Sequence, residues 1–322
     1  MISNNTRKII VEVPHRISGF FEIVDKIKGV EIKDPERIGS RGAGFCVNAI
    51  GKTEITAQVI DDNNNEIEAE IYINGEKVNQ KAETTYFIVN FIKKYINKSF
   101  KIRINHFFEL PVGCGYGASG SGALGTIFGL DYLLDSKLGY QEKGKIAHIA
   151  EVVNRTGLGT VCGQLNGGIG ILKEPGFPCV YERFKVPQNL KIICGTFGII
   201  PTKSILTNPV LNLNIKEAGR KALEKLIKKP DIKTFINTSI EFVKKTKITD
   251  ILELHRVKEL MDSLNKLEII GASMNQLGRS VYAICRNRKE KEVLDIFKSY
   301  KPDIKIFNTS IHKNGSIILK KE

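Results

Sequence analysis

At 322 residues the chain is too long for one small compact domain and fits two, each of about 150 residues. Its 42% hydrophobic and 26% charged content is that of a globular protein, and no apolar run approaches the roughly 18 residues that span a bilayer. The formal charge of +14, from 49 Lys and Arg against 35 Asp and Glu, raises nucleic acid as a partner. The lysines, however, are spread along amphipathic stretches such as NIKEAGRKALEKLIKK, and tryptophan is absent. A solvated, Lys-rich surface that favours anionic substrates is the better account, with no nucleic-acid partner.

The start, MISNNTRKIIVEV, has charges within its apolar part, so neither export nor a membrane partner is expected. Ile9 to Val13 is rich in β-branched residues and reads as a strand that delivers Pro14, His15, Arg16 and Ser18 to a loop at its end. A guanidinium at such a place would stabilise charge on a transferring phosphoryl group; a surface ion pair is the plainer use of Arg16. In IGSRGAGFCV, glycines flank Ser40 and Arg41 before the next strand. The planar fork of arginine suits a carboxylate, although a hairpin turn with an outward Arg would look the same. EITAQVI and EIEAEIYI, joined by DDNNN, predict a β-hairpin. Thr85 to Tyr95 has helical periodicity, and KIRINHFFEL reads as a strand in which His106 packs.

That strand runs into LPVGCGYGASGSGALG, Leu110 to Gly125. Glycines let backbone amides turn toward an anion, and a helix beginning just after them aims its partial positive charge at the same point. Gly115, Gly117 and Gly120 satisfy a GxGxxG pattern, but no second strand with a closing acid follows. A Walker loop would need a lysine, and the HRD and DFG triplets of protein kinases are absent. A phosphate cradle of another kind remains, against the alternative of a Gly-rich structural turn. One helix follows to about Leu134, and a second begins near Tyr140. In the second, Ile146, Ile149, Ala150 and Val153 form the apolar face while Glu151 projects away from its centre.

Pro111, Gly113, Gly115, Gly117 and Ser119 resemble the phosphate loop of the GHMP kinase superfamily, whose members phosphorylate small hydroxylated metabolites with ATP. VPHRISGFFEI, GSRGAGF and RTGLGTVCGQLNGGIG are similar to segments of the archaeal pantoate kinases. The resemblance covers most of the chain, its C-terminal third more loosely. It implies ATP and Mg2+, with a cradle of Pro111, Gly113, Gly115, Gly117, Ala118, Ser119, Gly120 and Ser121. It places Arg16 near the reacting hydroxyl and makes Ser119 and Glu151 the magnesium ligands, all three being catalytic. On the substrate side it implies that Arg41, assisted by Ser40, grips the carboxylate of pantoate, with His15, Ser18, Thr160, Thr202 and Lys203 nearby. Many superfamily members have a proton-accepting aspartate where Thr160 stands, and threonine is no base near neutral pH. Phosphoryl transfer leans mainly on positioning and electrostatics, so activity can survive that change. A homoserine- or mevalonate-type kinase and a non-catalytic sensor remain open alternatives.

Pro175, Pro178 and Pro187 interrupt regular structure and set the expected boundary between residues 1–185 and 186–322. A buried strand, KIICGTFGII, then three amphipathic helices between Ile215 and Leu267 follow. GASMNQLGRSVYAICR is similar to a degenerate third superfamily motif, with Gly271 and Ser273 approaching the site. A helix near Lys289 to Tyr300 and strands around Ile304 and Ile317 complete the pattern. The six cysteines form no CxxC pair and read as reduced thiols, with Cys114 and Cys162 as small-residue filler. The expectation is an α+β, two-domain GHMP kinase fold: an N-terminal α/β phosphate-binding domain, a C-terminal ferredoxin-like α+β domain and a cleft between them. The protein is expected to be a cytoplasmic homodimer that phosphorylates pantoate to 4-phosphopantoate for coenzyme A synthesis.

Overall fold

A computed structural model describes residues 6–60, 65–313 and 317–321. Part of the charged start (1–5) and most of the DDNNN turn (61–64) lie outside the described residues. The chain begins with β1 (Arg7–Val24), a small hairpin of β2 (Lys26–Ile27) and β3 (Val30–Glu31), and β4 (Gly39–Ile60). β1 and β4 make one antiparallel ribbon from Arg7 opposite Ala57 to Val24 opposite Gly39. Both segments expected as loops, the one after Val13 and the one at Gly39 to Phe45, are therefore strand. Aromatic and β-branched residues carry β1 onward, and Pro14, which has no donor for the ladder, sits at a β-bulge.

Next come β5 (Ile67–Ile73), β6 (Glu76–Lys77), α1 (Glu83–Ile92) and β7 (Ser99–Phe108). The expected hairpin between β4 and β5 does not form. β7 lies between them, antiparallel to β4 and parallel to β5, because the chain returns through α1 as a crossover. α2 (Ala118–Leu134), α3 (Tyr140–Asn154) and α4 (Thr160–Asn166) follow, then β8 (Ile169–Leu172) and β9 (Tyr181–Arg183). α2 packs on β1 and β4.

The second half runs β10 (Leu190–Thr196), α5 (Thr202–Leu206), α6 (Pro209–Lys228), α7 (Ile232–Thr246), α8 (Ile248–Ile251) and α9 (His255–Leu264). It continues with β11 (Gly271–Asn275), β12 (Ser280–Arg286), α10 (Glu290–Lys298), β13 (Lys305–Thr309) and β14 (Ile318–Lys321). Among the described residues one sheet has the order β14-β1-β4-β7-β5-β6 with β8 and β9 beside β4, and a second has β11-β12-β10-β13. The fold is α+β, as expected, but β14 returns to the first sheet.

The ribbon feeds both hydrophobic cores. Ile9, Val11 and Val13 belong to the core under α1, α2 and α3, whereas Ile17, Phe20 and Phe21, beyond the bulge, join Phe235, Phe242 and Tyr282 of the second half. The second core thus draws on both sides of residue 186. Among the described residues no helix is long and apolar enough to cross a membrane. The cysteines differ from expectation at one pair: Cys162 of α4 is disulfide-bonded to Cys179, with their Cα atoms 5.5 Å apart. The β8–β9 turn folds Cys179 back onto α4, a contact that spacing along the chain does not reveal.

Candidate active site

Opposite the bulge at Asn48 and Ala49 of β4, His15 lies under the glycine loop. Its Nδ1–H donates to the Tyr116 carbonyl at 2.9 Å and its Nε2 accepts from the Leu110 amide at 3.4 Å; those backbone partners fix the tautomer. One buried imidazole thereby ties both ends of the loop. Burial holds it neutral by lowering its pKa to about 4, against the opposing hydrogen bond to Tyr116. His15 is consequently a strut and not a substrate ligand. Ser121 is a similar correction: it is fully buried, and its hydroxyl donates to the Val13 carbonyl instead of facing the chamber.

Gly113, Gly115 and Gly117 have φ of +76°, +85° and +70°, which favour glycine, and α2 starts at Ala118. Ser119, in the first turn, donates its hydroxyl proton to Glu151 Oε1 at 2.5 Å. Glu151 does not lie on a solvated face, as helical spacing suggested; it is buried, and desolvation raises its pKa to about 7 despite hydrogen bonds from Ser119 and Thr156. Its Oε2 has no partner, and a Cβ on Gly157 would lie 2.2 Å from that atom. A buried carboxylate with a free oxygen beside a hydroxyl at a helix mouth fits a hard cation. Among the described residues no group of three or more His, Cys, Asp or Glu could hold a metal.

Two chambers share wall residues beside Arg16. The first, about 220 Å³, has the glycine loop, Ser119, Thr156 and Thr202 on its walls. The second, about 40 Å³, is a tighter crevice with apolar walls from Phe20, Phe21, Leu158 and Leu172 and a hydroxyl from Ser40. Arg16, Ser18, Thr160, Gln276 and Leu277 line both. Among the described residues Arg16 is the one charged side chain in either wall. It is 5% exposed, and its Nη1–H donates to the Tyr181 hydroxyl at 3.3 Å, with Cζ 5.6 Å from that ring's centroid. No acidic side chain among the described residues pairs with it. Gly163 makes room: a Cβ there would lie 2.0 Å from Arg16 Cζ.

Other expected residues lie elsewhere. Arg41 is not in the crevice. Strand alternation sends it to the opposite face from Ser40, and its Nη2–H donates to Glu22 Oε2 at 2.7 Å. Lys203 is paired with Glu83. Gly271 and Ser273 are buried within β11, and the turn after them, with Gln276 and Leu277, reaches the site instead. Sequence reasoning also missed Tyr181 and Gln164. The Gln164 Nε2 donates to Pro14 O at 2.9 Å and Gly117 O at 3.0 Å, joining β1 to the loop. Its place one helical turn after Thr160 was an available signal.

The model of the GHMP kinases N terminal domain matches residues 83–168, from α1 to the end of α4. The chain is 31% identical over 287 residues to the pantoate kinase of Methanocaldococcus jannaschii, covering 89% of this chain and 96% of that one. It is also 31% identical over 288 residues to the pantoate kinase of Thermococcus kodakarensis, covering 87% and 88% respectively. Among solved structures, a phosphotransferase related to the CoA biosynthesis pathway superposes with a TM-score of 0.82 at 25% identity, covering 98% of this chain and 99% of that one. The homoserine kinase from Cytophaga hutchinsonii has a TM-score of 0.63 at 14% identity over 100% and 99% of the two chains, a likeness of fold.

Proposed function

The chain belongs to the pantoate kinases of the GHMP kinase superfamily, and we propose that it transfers the γ-phosphoryl group of ATP to the primary hydroxyl of pantoate, giving 4-phosphopantoate for coenzyme A synthesis. The observation that carries the site assignment is Arg16, a buried cation at the junction of the two chambers with no acidic partner among the described residues. A buried charge left unpaired is costly, and an anion arriving beside it removes that cost.

The glycine loop and the first turn of α2 cradle the phosphates with backbone amides. Ser119 and Glu151 would hold a magnesium ion, which would neutralise phosphate charge. Pantoate occupies the tighter crevice, its dimethyl carbon against Phe20, Leu158 and Leu172. The new bond joins its primary hydroxyl oxygen to the γ-phosphorus, the bond to the β-phosphate oxygen breaks, and ADP leaves. Among the described residues no Asp or Glu lines either wall, and Glu151 behind Ser119 is committed to the ion, so the hydroxyl proton passes to the transferred phosphoryl group, whose charge Arg16 stabilises.

ADP release with pantoate, homoserine and mevalonate offered separately tests this. Turnover on pantoate, lost in Ser119→Ala, is expected; nucleotide binding without turnover on any of the three would favour a sensor.

A further inference from the structure

Gln276, at the tip between β11 and β12, lines both chambers, yet it is nearly inaccessible to water, at 1% exposure. Its amide orientation is fixed. The Nε2 group donates to Gly19 O at 3.1 Å and Met274 O at 3.2 Å, and carbonyls can only accept, so nitrogen and oxygen cannot exchange places. The backbone amide of Gln276 also donates to Ser18 O at 3.2 Å, tying the tip to β1. The remaining atom, Oε1, is buried and has no hydrogen-bond partner among the described residues. An unmet buried acceptor awaits a donor. Carboxylate and phosphate oxygens are acceptors and would repel it, whereas an alcohol supplies the missing proton.

We infer that Gln276 Oε1 accepts a hydrogen bond from the reacting hydroxyl of the phosphoryl acceptor. This rests on the kinase reading above. The junction of the chambers is where the attacking oxygen must meet the phosphoryl group, and Gln276 belongs to both walls. An amide oxygen is too weak a base to take the proton. It is a positioning group that turns the hydroxyl's lone pair toward phosphorus and selects a ligand carrying a hydroxyl there. In a wall without a carboxylate, that orientation matters more.

The test uses the full chain and three ligands: pantoate, its analogue lacking the 4-hydroxyl, and its analogue with fluorine in place of that hydroxyl. The two analogues cannot be phosphorylated and are read as inhibitors and by calorimetry. On the wild-type protein both are expected to bind about tenfold more weakly than pantoate, since neither donates. In Gln276→Met, pantoate is expected to lose about tenfold in affinity while both analogues keep theirs. A purely structural role would weaken all three together and would overturn the inference. So would a fluoro analogue that binds the wild-type protein as tightly as pantoate, a result obtained even if the variant fails to fold. Wild-type protein that neither binds nor phosphorylates pantoate would sink the pantoate reading itself, and the inference with it.

Discussion

Arg16 and Arg41 lie on neighbouring strands of the same ribbon, and in the sequence both sit among glycine and serine near the start of an apolar run. The structure treats them oppositely. Arg16 is buried at the chamber junction, with a tyrosine hydroxyl for a partner and a glycine cleared for its guanidinium. Arg41 is bound to Glu22 with its side chain 30% exposed. Residue type and local glycine content therefore do not identify an anion-binding arginine. What matters is which face of the strand it occupies and whether an acid already neutralises it.

The sharpest way to break this contrast is Arg16→Met, which keeps the apolar stem and removes the charge. It is expected to lower kcat about 10³-fold with pantoate, because on the proposed reading it removes the one cation that lines the chambers among the described residues. Gly163→Ala should approach the same phenotype without touching the arginine, its methyl group forcing the guanidinium aside. Steady-state kinetics on the two variants decide the matter. Wild-type kcat in either would mean that Arg16 does not act at the junction.

Much of the Arg16 side was legible in the sequence, for reasons that also explain the failures. The loop from Leu110 to Gly117 and helices α1, α2 and α3 depend on local backbone preference and helical period, which a short window records. Ser119 was legible because a phosphate loop followed by a helix fixes where its first-turn hydroxyl lies. Three other features were not. The placement of β7 between β4 and β5 depends on a crossover, the burial of His15 on a bulge, and the roles of Tyr181 and Gln276 on contacts across more than 150 residues. Arg41 failed through parity: reading Gly39 to Phe45 as a turn erased the alternation that turns its side chain away.

The Arg16 side should also respond to pH through His15. Its folded pKa of about 4 lies below the ordinary 6.5, so the unfolded chain takes up the proton first as pH falls. The stabilisation from neutral His15 is fully present above about pH 6.5 and is lost toward pH 4, a change of about 3 kcal/mol. Urea denaturation at pH 7, 5.5 and 4.5, compared with His15→Gln, measures it. A parallel pH dependence in the variant would show that His15 does not carry the effect. Somewhat less, about 2 kcal/mol, is expected from the Cys162–Cys179 link, which anchors the helix that carries Thr160 and Gly163. Cys179→Ser should lower the melting temperature, and added reductant should lower that of the wild type but not of the variant. Equal melting with and without reductant in both proteins would remove the link's contribution.

The smallest effect is expected where the sequence promised a large one. Arg41→Ala breaks the contact with Glu22, a partly exposed pair worth under about 1 kcal/mol, and removes nothing that lines either chamber. KM for pantoate should stay within about twofold of wild type, well below the 1.4 kcal/mol that a tenfold change represents. The control is Glu22→Gln, which frees the same guanidinium without deleting it. If Arg41 reaches the substrate carboxylate by exchanging partners, Arg41→Ala raises KM strongly and Glu22→Gln lowers it. If Arg41 and Glu22 serve only to tie β1 to β4, both variants lose the same small stability and neither moves KM. The second outcome follows from the parity of β4, because moving Arg41 into the crevice would require the strand to slip by one residue against β1. That slip would carry Phe45 and Val47 out of the core they share with Phe235 and Tyr282.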